Sequence, residues 1–262
     1  MRLSASAGGC FRSRMMFDLP LTSWLLLLLG GFAVGVSKSG LAGVSLVQVL
    51  AFAVVFGAKQ STGVLLPLLV VGDCCAVWLV GRDVVWRYVA KLLPPALVGV
   101  VIGWLLLGRL DEAAFRPFIG ALVLALCGGQ LLRMWRGDLL ANVPHSRGFA
   151  WGTGILSGVA TMLANAAGPI VALYLLAVAL PKNRLVATGA WFFLILNLSK
   201  IPFSASLGLI SPKSLLIDAI LAPCVVAGLV TGRAVVRKIP QKAFDTLLLV
   251  FTAVAALRLV FG

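Results

Sequence analysis

Charge is scarce in this chain, and negative charge scarcer. Only 11% of its 262 residues are charged, with 8 Asp and Glu against 22 Lys and Arg; soluble domains carry about 25%. A water-exposed globular surface cannot be built from so few charges, which excludes an ordinary soluble domain. Histidine occurs once, at His145, in a loop without partner ligands. The five cysteines, Cys10, Cys74, Cys75, Cys127 and Cys224, lack metal-ligand spacing, and all but the first lie in apolar runs, where they read as small core residues. No metal site and no bound cofactor is therefore expected. There is no phosphate loop and no nucleophile elbow, so an ATP-driven pump and a serine hydrolase are excluded in their self-contained forms. An intramembrane enzyme lacks a convergent acid–base or metal set.

What the chain has instead is hydrocarbon. Hydrophobic residues make up 61% of it and the mean hydropathy is +1.09. A bilayer core about 30 Å thick needs about 20 apolar residues per helical crossing, which leaves room here for roughly ten segments and short loops. The net charge of +14 would suggest nucleic acid in a soluble protein. Here the basic residues sit in short loops between apolar runs, where they report topology and contact with anionic lipid, so membrane lipid is an expected partner and nucleic acid is not.

Two stretches interrupt the apolar pattern in matching ways. GGFAVGVSKSGLAG, Gly30 to Gly43, opens with Gly31-Phe32-Ala33-x-Gly35, and GFAWGTGILSGVATMLANAAGPI, Gly148 to Ile170, opens with Gly148-Phe149-Ala150-x-Gly152. Later in each half a proline is followed by two glycines, Pro94, Gly99, Gly103 and then Pro223, Gly228, Gly232, which read as helix-packing faces. Residues 1–20 are expected to be an N-terminal tail, with Met15 or Met16 as an alternative start. The first transmembrane repeat then covers 21–135, a cytoplasmic linker 136–147 and the second repeat 148–262. The predicted fold is an all-α integral membrane protein of two inverted-topology repeats, about five membrane segments each, with short or re-entrant helices broken at glycine-rich stretches. An odd number of crossings per half is what inverts the second copy. The larger group of basic loop residues, which includes Arg82, Lys182, Arg184 and Arg233, is assigned to the cytoplasm, and both termini to the outside.

Backbone that leaves a helix inside hydrocarbon must line a cavity or be buried in protein, so the paired interruptions point to a site. Three charges remain inside apolar runs, Lys38, Asp73 and Lys200, each costly at mid-bilayer without a partner. Two positives and one negative suit an anionic substrate. Lys38, Ser37, Ser39 and Gly40 from the first break, and Thr161, Asn165 and Gly168 from the second, are the candidate binding residues, joined by Asn197. Ser45 and Ser157 are further neutral donors. Asp73 and Lys200 occupy related places in their halves and are candidates for a coupling ion pair or a static strut. Trp191, Phe192 and Phe193 read as packing or lipid-facing aromatics.

The chain resembles the TauE/SafE family of sulfite and organosulfonate exporters from about Leu21 to Gly262. The resemblance rests on the doubled glycine-rich openings, KQSTGVLLP followed by Gly72-Asp73, LPPALVGVVIG, and LPKNRLVATGAWFFLILNLSKIPF with LGLISP behind it. It implies a multi-pass protein of the plasma (inner) membrane that moves small sulfur-containing anions without a cofactor, outward and driven by a gradient. An uptake carrier for similar anions would use the same parts. A non-transporting membrane accessory or assembly protein is the reading from another class; it requires Lys38→Ala to be silent and charge changes at Arg233, Arg237 and Lys238 to be damaging. A homodimer is left open.

Overall fold

The computed structural model describes residues 19–41, 44–111, 147–178 and 180–236, with isolated positions between 115 and 132. Most of the N-terminal tail, most of the last part of the first repeat, most of the linker and residues 237–262 of the second repeat lie outside the described residues. So do Cys10, Cys127 and His145. Within the described residues the chain is helical and contains no strand.

Helix α1 runs Leu21–Lys38 and α2 Ser45–Phe56; α3 spans Ala58–Val80 and continues as a 3-10 turn at Gly81–Asp83, before α4 at Trp86–Arg109. In the second half α5 covers Arg147–Ala164, α6 Gly168–Ala177, α7 Lys182–Ser206 and α8 Pro212–Val236. By length and apolar composition α1, α3, α4, α7 and α8 can each cross a membrane, whereas α2, with 12 residues, and α6, with 10, are too short. Outward faces are apolar. On α4 Val98, Val101, Ile102, Leu105 and Leu106 are all exposed at helical spacing, the arrangement of a helix that meets acyl chains.

Two helix starts depart from the sequence reading. Lys59 and Gln60, expected in a loop, lie in the first turn of α3, because Gly57 at φ 84° makes the whole turn by itself. Lys182, Asn183 and Arg184 likewise belong to α7, whose entry is set by Pro181 in extended conformation just before it. The cysteines are also less buried than their apolar surroundings suggest: Cys74 is exposed, and Cys75 and Cys224 are half-buried.

Glycines set the closest helix approaches. Helix α1 packs along α8, and a Cβ on Gly35 would overlap the Val225 carbonyl, as one on Gly228 would overlap that of Phe32. Helix α4 packs along α5 in the same manner: Gly99 lies against the Ile155 carbonyl and Gly158 against that of Ala96. Each half's fourth helix thus lies in backbone contact with the other half's first helix. Helices α3 and α7 cross between these two pairs.

Candidate functional site

Both helix interruptions are built from residues that tolerate unusual backbone. Helix α1 ends at Lys38, and two residues later Gly40 takes φ 110°. In the second interruption the left-handed residue is not a glycine: Asn165 has φ 54°. Asparagine is among the few side chains that adopt this region readily. Here its amide is fixed at both ends, Nδ2 donating to the Thr62 carbonyl at 2.8 Å and Oδ1 accepting from Lys200 at 2.6 Å.

Four helices contribute to one buried polar network. The Lys38 ammonium at the end of α1 lies 2.6 Å from Asp73 Oδ1 on α3, and Asp73 is fully buried. Asn197 on α7 donates from Nδ2 to Asp73 Oδ2 at 2.7 Å and accepts from Lys200 at 3.2 Å through Oδ1. Lys200 also donates to Thr161 on α5 at 3.0 Å. The expected Asp73–Lys200 contact is therefore not made: Lys38 takes the carboxylate, and Lys200 ends on three neutral oxygens with Asn197 between the two. Burying these groups costs several kcal/mol each, and the pairing offsets that only because every arm is hydrogen-bonded.

Next to this network is a cavity of about 100 Å³. Ser37, Lys38, Gly40, Thr161, Asn165, Gly168 and Asn197 all line it, so residues of both interruptions meet at one place. Ser45 and Gly168, the first residues of α2 and α6, stand in its wall. Helix N-termini carry N–H groups without intrahelical partners and the positive end of the dipole, so two of them at one cavity favour an anion. Apolar side chains, among them Leu69, Val171, Leu175 and Phe193, make up much of the remaining lining.

Not every candidate side chain is free to bind. The hydroxyls of Ser37, Ser39 and Ser157 donate back to the carbonyls of Val34, Val36 and Thr153, each at 2.7 Å. Their protons are used within their own helices, so they can offer a substrate only lone pairs. Ser39 faces a second, outer cavity, and Asp73 and Lys200 stand behind the wall of the first.

Gln48 and Phe193, which can act on a charged guest, were not read as site residues from the sequence. Phe193, read as packing, has its ring centroid 4.9 Å from the Lys38 ammonium, a cation–π contact. Gln48 on α2 is buried and lines the cavity, and its Oε1 has no hydrogen-bond partner among the described residues. A glutamine four residues into an apolar helix is the signal that could have found it.

The model of the family described as sulfite exporter TauE/SafE matches residues 27–259. The chain belongs to this family. No curated protein and no solved structure matches it. The family assignment and the apolar helices together make the TauE/SafE chain a multi-pass membrane protein of a transporter family.

Proposed function

We propose that this TauE/SafE member is a gradient-driven secondary transporter that carries a small sulfur oxyanion, sulfite or an organosulfonate, out across the plasma membrane by alternating access. The observation that carries this reading is the shared cavity: Lys38 and the N-termini of α2 and α6 face one space between the two halves. In it the anion displaces the Asp73 carboxylate from Lys38, while Asn197 keeps hold of Asp73. Lys200, through Asn165 and Thr161, holds the second interruption in shape.

The helix pairing supports two inverted copies. Helix α1 on α8 mirrors α5 on α4, and an odd number of crossings per half turns the second copy over. One end of the helix assembly is tied shut, with Lys59 donating to the Leu110 carbonyl at 2.7 Å, Gln60 to that of Leu209 at 3.1 Å, and Gly63 against Leu209. The other end holds the outer cavity, of about 430 Å³, beside Arg82 and Arg233. Both arginines belong to the basic group assigned to the cytoplasm, so this is the conformation that loads from inside, with both termini outside.

Flux of labelled sulfite, sulfoacetate and sulfate from proteoliposomes under imposed pH gradients tests the reading. Flux of sulfite or the sulfonate that disappears in Lys38→Gln is expected. A folded preparation that moves none of them overturns it, as does full activity of Lys38→Gln.

A further inference from the structure

The outer cavity is lined by Lys38 and Ser39 from α1, Arg82 and Asp83 from the 3-10 turn, Asn183 from α7 and Arg233 from α8. Lys38, Ala76 and Val186 stand in the walls of both this cavity and the inner one. The two spaces are thus consecutive, with the Lys38 ammonium where they meet.

The backbone positions that carry the two arginines are fixed at the mouth by rigid parts of the fold. Trp191 on α7 donates to the Gly81 carbonyl at 3.0 Å and packs against Trp86 at 5.1 Å between ring centroids. The Val85 N–H donates to the Thr188 hydroxyl at 3.1 Å, so the turn that carries Arg82 is fastened to α7 on both sides. Arg233 follows Gly232, where a Cβ would come within 2.7 Å of the Ser39 hydroxyl oxygen, so the glycine seam brings this residue to the end of α1. Among the described residues neither guanidinium is in an ion pair, and both are exposed to the cavity mouth. Asp83 sits in the same wall without contacting either within ion-pair distance.

We propose that this mouth is a separate oxyanion station, in which Arg82 and Arg233 hold a small tetrahedral or pyramidal oxyanion before it passes to Lys38. The proposal rests on the transport reading above, but it concerns residues outside the inner cavity. Arginine forks match oxyanion geometry and stay charged at any working pH. A basic cleft with low-dielectric walls raises the local concentration of an anion, an effect that salt screens. A lipid phosphate has the same chemistry, so the test separates the two sources.

Equilibrium binding of radiolabelled sulfite is measured on the full chain in nanodiscs, in phosphatidylcholine alone and with phosphatidylglycerol added, at low and high ionic strength. In the Arg82→Gln/Arg233→Gln variant, sulfite binding at low salt is expected to weaken about 10-fold, with the difference shrinking at high salt. Arg82→Lys/Arg233→Lys, which keeps the charge but not the fork, is expected to recover part of it, which controls for folding. Lys38→Gln removes the remaining binding. Wild-type affinity in the double glutamine variant at low salt overturns the station and leaves the transport reading intact if Lys38→Gln still abolishes binding. An Arg effect seen only with phosphatidylglycerol present assigns the mouth to lipid and also overturns it. Wild-type protein that binds no sulfite removes the transport reading and the station with it.

Discussion

Lys38 and Asp73 are mutually dependent, because the Asp73 side chain is wholly buried and that of Lys38 nearly so, at 11% exposure. Removing one partner strands the other. Lys38→Met is expected to destabilise the protein by about 3 kcal/mol, the scale of an uncompensated buried charge. Lys38→Met/Asp73→Asn is expected to regain most of that, since Asn197 can still hydrogen-bond to an amide, while transport stays absent. Thermal unfolding in detergent beside flux checks both halves: equal melting of the single and double variants would contradict the pairing. Asn165→Ala leaves one arm of Lys200 without its acceptor, removes the tie from the second interruption to the Thr62 carbonyl on α3 and puts alanine at φ 54°, so a loss of about 2 kcal/mol is expected by the same melting assay. The charges themselves were legible in the sequence, because Lys38, Asp73 and Lys200 stand out in apolar runs. Their pairing was not. Which residue meets the carboxylate depends on the rotation of α1 against α3, and no residue spacing within one helix encodes that. How the serine hydroxyls are used was not legible for a related reason: a hydroxyl can satisfy itself on its own helix, as Ser37 and Ser39 do.

At the scale of helices, the glycine seams decide how closely the two halves approach. A methyl group at Gly158 has to displace the Ala96 backbone, whereas at Gly152 on the same helix it meets none of the described residues within 4 Å. Gly158→Ala is therefore expected to cost about 3 kcal/mol by overpacking. Gly152→Ala is expected to be neutral or stabilising by up to about 1 kcal/mol through helix propensity. Similar melting temperatures for the two would contradict close packing of α4 on α5. The sequence marked the fourth-run glycines as contact faces, and α4 and α8 use them in that way. It could not name their partners, since Gly99 and Gly228 each meet the first helix of the opposite half, more than 50 residues away in the chain for one pair and nearly 200 for the other. Short helices beside the two interruptions were legible in the sequence, whereas the start of α6 at Gly168 was not. The early starts of α3 and α7 were not, because basic residues fit a helix end as well as a loop.

For the molecule as a whole, the proposed transport reading makes an open cavity beside Arg82 and Arg233 and a tied end at Lys59 and Gln60 one conformation of an alternating cycle. In a variant lacking the five native cysteines, Val186→Cys, in the wall of both cavities, is expected to react with a membrane-impermeant maleimide from the cytoplasmic side and to be protected by sulfite. Ser61→Cys, buried at the tied end, is expected to stay unreactive from that side. Equal labelling of both from the same face would contradict the sidedness. The most direct test of the central claim is electron cryo-microscopy of the full chain in nanodiscs with and without sulfite. Difference density is expected about 3 Å from the Lys38 ammonium, between the first residues of α2 and α6, with Asp73 drawn back onto Asn197. Saturating sulfite that leaves that space unchanged and Lys38 still on Asp73 would contradict it.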